Sequence, residues 1–351
     1  MEQDKILDFL KSDKSEDMDY LFTEAFSIRQ KTIGNRVYLR GLIEFSNFCT
    51  LDCLYCGVRR SNHKVMRYKL SREEIISLAL LAYEQGFQSL ALQSGEIRSD
   101  THIDWLADLV YEIKKMTSQG QNPGLGITLS VGELDYYQYK KLYDAGAHRY
   151  LLRIETSNPR LFARIHPPGQ SFEKRREALY ALKEIGYQVG TGVMIGLPYQ
   201  TYEDLLSDLE FFIKMDIDML GMGPYIPHPD TPLFKEIEHI KIDPYTSSLK
   251  MISLARILMP DINIVASTAL QTIHPEGLKN GLKAGANIVM PVLTPEENRL
   301  HYTLYAGKKY TPFSQLIAEI KNSGFEVGLW QYGDSPHFFK RQKSQIQVKG
   351  G

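Results

Sequence analysis

The sequence predicts an α/β protein built as a closed parallel (β/α)8 barrel of the TIM type, with a helical extension before it and a second extension after it. Three observations carry this. Hydrophobic periodicity alternates between period two and period 3.6 about eight times along the chain. Helical stretches end in a glycine followed by an apolar run, as in "DAGAHRY", "EIGYQV" and "AGANIV"; such a glycine supplies the left-handed residue that stops a helix before the next strand. The chain has 351 residues, 43% of them hydrophobic, enough for one large core.

In order, "MEQDKILDFLKSDKSEDMDYLFTEAFSIRQKTIG" reads as short helices ending at Gly34, an N-terminal cap over 1–34. "RVYLRGLIEFSN" is the first strand, followed by helix "SREEIISLALLAYEQG", strand "SLALQSG", helix "HIDWLADLVYEIKKM" and strand "GITLSVGE". Helix "LDYYQYKKLYDAG", strand "RYLLRIET", helix "FEKRREALYALKEIG" and strand "VGTGVMIGL" continue the rhythm. Helix "TYEDLLSDLEFFIKM", strand "IDMLGMGPYI", helix "YTSSLKMISLARIL", strand "INIVAS", helix "EGLKNGLKAG", strand "NIVMPVL" and helix "FSQLIAEIKNSG" complete a barrel expected over 35–325. A C-terminal extension over 326–351 remains, whose basic, polar tail "KRQKSQIQVKGG" is expected to fray.

A net charge of -1 and a charged fraction of 24% give no electrostatic case for nucleic acid or an anionic membrane as partner. The N-terminus is acidic where a signal peptide needs a basic region, and no uninterrupted apolar span reaches membrane length. A cytoplasmic protein is expected. All three cysteines, Cys49, Cys53 and Cys56, lie in "FCTLDCLYCGVRR". An odd number in one tight cluster speaks against a disulfide framework and for metal or redox chemistry.

Chemistry in such a barrel sits on the loops after the strands, and the cysteines occupy the first of them. A zinc site would need a fourth ligand such as His63. A cubane iron-sulfur cluster normally takes four cysteines, so three leave one iron open. Other candidates follow from the pleat, which puts Arg153 with Glu155, and Thr128 with Ser130, on shared faces inside the barrel mouth. A buried salt bridge is the alternative for the first pair, and a solvated charge is the alternative for Arg175 on its helix. For Met290 ordinary core packing stands beside a site role. His166, His228 and His274 are single loop histidines, expected to be solvated, and receive no role.

"CTLDCLYC", with an aromatic before its last cysteine after the first barrel strand, resembles the radical S-adenosylmethionine (SAM) superfamily signature. The resemblance implies a [4Fe-4S] cluster on Cys49, Cys53 and Cys56 whose open iron is chelated by SAM. "LQSGE" resembles the family's "GGE" motif, with Ser94 in place of the first glycine. The SAM contacts thereby implied are Tyr55, Ser94, Gly95, Glu96, Glu155, Arg175, Gly196 and Leu197, the last two in "GVMIGLP" along the adenine. Within the superfamily, "IEFSNFCTLDCLYCGVRR", "MRYKLSREEI", "LQSGE", "LSVGE", "RYLLRIETSNP", "GLPYQT", "GPYIPHPDTPL" and "NIVMPVLTP" together resemble the [FeFe]-hydrogenase maturase family HydE, from about residue 35 to residue 310.

That resemblance implies a 5′-deoxyadenosyl radical acting on a cysteine-bound Fe(CO)2(CN) precursor supplied by the maturase HydG. It also implies transient contact with HydG and HydF, and an electron donor such as ferredoxin or flavodoxin. Implied substrate-side residues are Gln93, Thr128, Ser130, Arg153, Thr268, Met290 and Tyr302. No cysteine follows Cys56, so the second cluster of some family members has no cysteine ligands here and is read as dispensable, which also weighs against sulfur insertion of the biotin synthase kind. Two alternatives stay open: a mutase like methylornithine synthase, whose family lacks "YCGVRR" and "PHPDTPL" in this form, and a noncatalytic iron-sulfur or zinc barrel.

Overall fold

The structure, a computed structural model, describes residues 1–349, with side-chain burial to residue 344. Its strands are β1 (Arg36–Leu39), β2 (Gly41–Ser46), β3 (Ser89–Ser94), β4 (Gly126–Ser130), β5 (Ala147–Leu151), β6 (Gln188–Thr191), β7 (Met194–Ile195), β8 (Met219–Leu220), β9 (Gly223–Pro224), β10 (Asn263–Ile264), β11 (Ile288–Val289) and β12 (Glu326–Gly328). Seven of them form one curled parallel sheet in the order β2-β3-β4-β5-β6-β8-β10. The remaining side of the ring is spanned by β11. Val265 bridges to Ile288 and Leu42 to Val292, with Arg40 N–H donating to Val289 O and Leu293 N–H to Leu42 O. Parallel strands with helices outside them bury both faces, which is why β2 is buried at every residue.

The helices start and stop where local chemistry directs. Ser71 with Glu74, Asp135 with Gln138 and Thr201 with Asp204 form reciprocal capping boxes ahead of Arg72–Glu84, Tyr136–Asp144 and Tyr202–Met215. Gly186 ends Phe172–Ile185 at φ +112°, in the left-handed region that the "EIGYQV" pattern predicts. The N-terminal helices Gln3–Lys11 and Ser15–Thr32 lie against Pro244–Leu258, where Lys250 Nζ donates to Leu10 O at 3.1 Å. No helix among the described residues is long and apolar enough to cross a membrane.

Three sequence expectations need correction. The first strand is two segments, because β1 pairs with β11 and β12 while β2 pairs with β3. The strands expected as "VGTGVMIGL" and "IDMLGMGPYI" are also each broken, into β6 with β7 and β8 with β9. The breaks meet at glycines: a Cβ on Gly192 would stand 2.0 Å from the carbonyl oxygen of Gly221, an approach only glycine permits. Finally, Lys340 and Arg341 of the expected frayed tail lie in the helix Pro336–Lys349. Lys340 Nζ reaches Asp261 at 2.7 Å and Arg341 pairs with the fully buried Asp218. Gly350 and Gly351 fall outside the described residues.

This C-terminal segment closes the barrel floor. Arg149, fully buried, donates through Nε to Asp334 at 2.9 Å, and Gln188 Nε2 donates to the same carboxylate at 2.8 Å. Burial opposes ionisation of Asp334, but Arg149, His148 and Gln188 together outweigh it and hold the carboxyl below its ordinary range. With the floor plugged, the open end is the mouth at the carboxyl ends of the strands.

Candidate active site

The loop after β2 carries the three cysteines, all unpaired and half-buried. It is held by Arg67, whose guanidinium donates to four loop carbonyls: Asn47 at 2.6 Å and Val58 at 2.7 Å through Nη1, Arg59 at 2.6 Å and Asn62 at 3.2 Å through Nη2. Across the loop, Gly95 packs so closely that a Cβ would meet Phe48 O at 2.2 Å and Cys49 Cβ at 2.6 Å. The amides of Leu51 and Glu96 donate to Cys49 Sγ, each at 3.4 Å. Burial pushes the Cys53 thiol up to about 12 and raises Cys49 and Cys56 as well. Such thiols stay protonated unless a metal takes the proton's place.

These residues fit an iron-sulfur cluster. The donors are soft thiols, N–H groups point at sulfur, and one further amide is poised there: Gln170 Oε1 lies 3.5 Å from Cys53 Sγ while its Nε2 is buried without a partner. An amide flip turns that N–H toward the sulfur. Among the described residues no three His, Cys, Asp or Glu converge to hold a single ion, and His63, the zinc alternative's fourth ligand, is exposed.

Facing the thiols is a ring of buried charge. Glu96 accepts from Arg98 Nε at 2.5 Å and from the Glu133 amide at 2.7 Å, and rests on Gly132, where a Cβ would come within 2.4 Å of it. Arg175, which the solvated alternative would expose, is buried in the first turn of Phe172–Ile185. Its Nε donates to Glu133 at 2.9 Å and its Nη1 to Arg153 O at 2.6 Å. Burial pulls against its charge, but Glu133, with Tyr55 and Glu96, outweighs that and keeps it cationic. Glu155 is buried and paired with Arg153, Oε2 to Nη2 at 3.0 Å. Its pKa is raised by burial, against Arg153 and Arg175.

The pleat argument for Arg153 and Glu155 does not hold in the form expected. β5 ends at Leu151, and Glu155 sits at φ +65°. The two side chains meet because the chain bends there: the Glu155 amide donates to Gly192 O and its carbonyl accepts from Met194 N–H. The salt-bridge alternative is therefore realised, but Arg153 Nε and Glu155 Oε2 keep no hydrogen-bond partner.

Deeper in the barrel the register sets Glu44 beside Gln93 and Gln93 beside Ser130 on one face. Thr128, two residues before Ser130, is buried with Oγ1 unpartnered. Thr268 and Met290 line a common cleft with Gln271 and Lys309. Tyr302 is buried, and its neighbour Lys308 forms an ion pair with the buried Glu44. At the adenine-side segment, the amides of Gly196 and Leu197 both donate to Gln200 Oε1, at 2.7 and 3.1 Å, and the Leu197 carbonyl accepts from the Gln200 N–H at 3.1 Å. Ser94 Oγ donates to Gly95 O at 2.8 Å.

Sequence reasoning missed Arg67, Glu133, Gln170, Glu44 and Lys308. Glu133 had a signal, since "VGE" after β4 mirrors "SGE" after β3; Arg67 had none, its acceptors being remote carbonyls. Two of the three loop histidines are not solvated. His166 and His228 are buried, His166 with Nε2 3.4 Å from Tyr55 Oη and Nδ1 2.9 Å from Phe162 O. Burial, helped by Arg175, pushes His166 down to about 3, so it is neutral. His274 stacks on Tyr245.

Comparison with known proteins agrees with this construction. The family model described as Radical SAM superfamily matches residues 43–212. The [FeFe] hydrogenase maturase subunit HydE of Thermotoga maritima is 48% identical over 290 residues, 82% of this chain and 79% of that protein. The 3-methylornithine synthase of Methanosarcina acetivorans is 31% identical over 300 residues, 86% of this chain and 81% of that one. Among solved structures, methylornithine synthase (PylB) superposes with a TM-score of 0.81 at 27% identity, covering 94% of each chain. The hydrogenase maturase HydG has a TM-score of 0.82 at 20% identity, over 98% of this chain and 77% of that one, a likeness of fold alone. A superfamily match on the cysteine loop and the strands after it, joined to 48% identity over most of both chains, makes this chain an enzyme of the radical SAM superfamily, belonging within it to the [FeFe]-hydrogenase maturase family HydE.

Proposed function

We propose that this protein acts in assembly of the [FeFe]-hydrogenase H-cluster, cleaving SAM reductively and directing the 5′-deoxyadenosyl radical at a cysteine-bound Fe(CO)2(CN) complex supplied by HydG. The observation that carries this reading is the placement of three thiols on one mouth loop above buried polar atoms with no hydrogen-bond partner, Thr128 Oγ1 and Arg153 Nε. When bound, the cluster supplies an electron to the SAM sulfonium and an iron free to hold its amino and carboxylate groups. Cys49, Cys53 and Cys56 hold the cluster. Glu155 and Glu96 accept from SAM donors, Arg175 faces its carboxylate, and the backbone at Gly196 and Leu197 runs along the adenine. Arg153, Thr128, Ser130 and Thr268 receive the anionic substrate. Residues 301–309 cover the mouth, through Leu304 O on Gly57 N–H and Lys308 on Glu44, and keep water from the radical.

Glu155→Gln should weaken SAM binding by about one to two orders of magnitude, the loss of a charge-assisted bond of roughly 1.5–3 kcal/mol. Burial raises the Glu155 pKa, and a proton held there must leave before a cation is accepted. SAM affinity should therefore rise with pH through this pKa, and the rise should be absent in Glu155→Gln. Equilibrium dialysis of reconstituted protein measures both, and an unchanged affinity removes Glu155 from the site.

The function itself is tested by anaerobic reconstitution, then chromatography for 5′-deoxyadenosine in the presence of dithionite and SAM. The HydG product should stimulate cleavage, and lysine and dethiobiotin should not. Turnover driven by lysine and not by the iron complex would establish the mutase reading, which the likeness to methylornithine synthases favours.

A further inference from the structure

SAM cleavage on the proposed reading needs an electron from outside, and one face beside the cysteine loop is built to receive its carrier. Residues 53–72 hold six basic side chains, Arg59, Arg60, Lys64, Arg67, Lys69 and Arg72, and no Asp or Glu, in a chain of net charge -1. Four of the six are engaged: Arg67 by the loop carbonyls, Arg59 by Asp52 at 2.8 Å, Arg72 by Glu112 at 2.6 Å and Lys64 by Asp230 at 2.5 Å. Arg60 and Lys69 are exposed, and Lys64 is 78% exposed beyond its contact with Asp230.

Within this basic run the surface is apolar. Phe48 is 46% exposed, Met66 64% and Leu300 63%. They gather about one side chain, since Asn47 Nδ2 donates to the carbonyls of Met66 and His301, both at 2.8 Å. The strand-like bridge of Ser46 to Lys69 is antiparallel, so residues 66–68 run back alongside Asn47–Cys49. Phe48 is covalently next to Cys49. An apolar centre with exposed positive charge around it, one residue from a cluster ligand, is the surface that an acidic protein would cover with its own redox group brought close.

We propose that Phe48, Met66 and Leu300, with Arg60, Lys64 and Lys69 around them, form the docking surface for a small acidic one-electron carrier protein. The carrier gives up one electron and the cluster gains it; no bond forms or breaks in the docked pair. Opposite charge steers the encounter, so the association rate falls with ionic strength, and the apolar centre excludes water where the two redox groups approach.

The test measures bleaching of the cluster's visible absorption on anaerobic mixing, without SAM, against two reductants: a reduced acidic ferredoxin and dithionite. Arg60→Glu/Lys64→Glu and, separately, Met66→Asp should slow reduction by the ferredoxin about tenfold, with iron content and the dithionite rate unchanged. The parent's ferredoxin rate should fall steeply with added salt. Equal slowing with both reductants, or none with ferredoxin, overturns the proposal. So does a dimeric parent that Met66→Asp turns into a monomer, since the patch is then a subunit contact. Because SAM is absent from the assay, a protein that docks the carrier yet fails to cleave SAM would sink the functional reading and leave the docking surface standing.

Discussion

Arg67→Ala is expected to fold but to take up less than about a tenth of the iron that the parent binds on anaerobic reconstitution. Four carbonyls of the cysteine loop converge on this one guanidinium. A hydrogen bond to a charged group contributes about 1.5–3 kcal/mol, and solvent can replace only part of that for carbonyls turned inward. A net loss of roughly 3 kcal/mol in loop order lowers the population of the ligating geometry about a hundredfold. Arginine is required because its planar fork presents five donors in fixed directions; Arg67→Lys offers three on a tetrahedral head and should recover only a fraction of the iron. The barrel does not depend on this loop, so far-UV circular dichroism and the unfolding midpoint should stay near those of the parent. The guanidinium also stands within electrostatic range of Cys49 and Cys56, where it favours the thiolates that ligate iron. Full iron content in Arg67→Ala would show that the loop orders without it.

What the sequence made legible divides by distance along the chain. The cysteine spacing, the "SGE" turn and the glycines that end helices are local, each needing only a few consecutive residues to be read. Period-two and period-3.6 patterns likewise gave the order of strands and helices. What escaped depends on contacts between remote segments: Lys308 with Glu44, Arg175 with Glu133, and Asp334 of the floor with Arg149. A charged residue on a helix reads as solvated until the carboxylate that faces it is known, which is why Arg175 stayed ambiguous. The breaks after Thr191 and Leu220 arise from two glycines touching across strands, and neither glycine signals its partner. The bend at Glu155 escaped for a different reason. A non-glycine residue at φ +65° breaks a local rule, and such departures are held in place by surrounding structure, often at sites of function.

That bend sets up the other large effect. Arg153→Ala should retain the cluster but lose stimulation of SAM cleavage by the iron-cysteine complex, by about two to three orders of magnitude. Removing one partner of a buried, hydrogen-bonded charge pair costs roughly 2–5 kcal/mol, and the radical must meet the substrate sulfur at roughly 3–3.5 Å for productive attack. A substrate held by fewer contacts spends little time there. Yet Arg153 cannot be assigned to the substrate alone. Its Nη2 stands 3.0 Å from Glu155 Oε2, so the side chain joins the substrate-side and SAM-side halves of the mouth. Arg153→Ala should accordingly weaken SAM binding too, though by no more than about tenfold, because the pair is one-third exposed on the arginine side and Arg175 still faces Glu155. A double-mutant cycle separates the two roles. If Arg153 serves only to hold Glu155, then Arg153→Ala/Glu155→Gln responds to the iron complex as Glu155→Gln alone does. If Arg153 itself binds the anion through its unpartnered Nε, the double variant loses the response whether or not Glu155 is charged, and Arg153→Lys restores SAM affinity before it restores stimulation, since a point charge can pair with a carboxylate without supplying the fork. Normal stimulation in Arg153→Ala at saturating SAM would place the substrate elsewhere in the barrel.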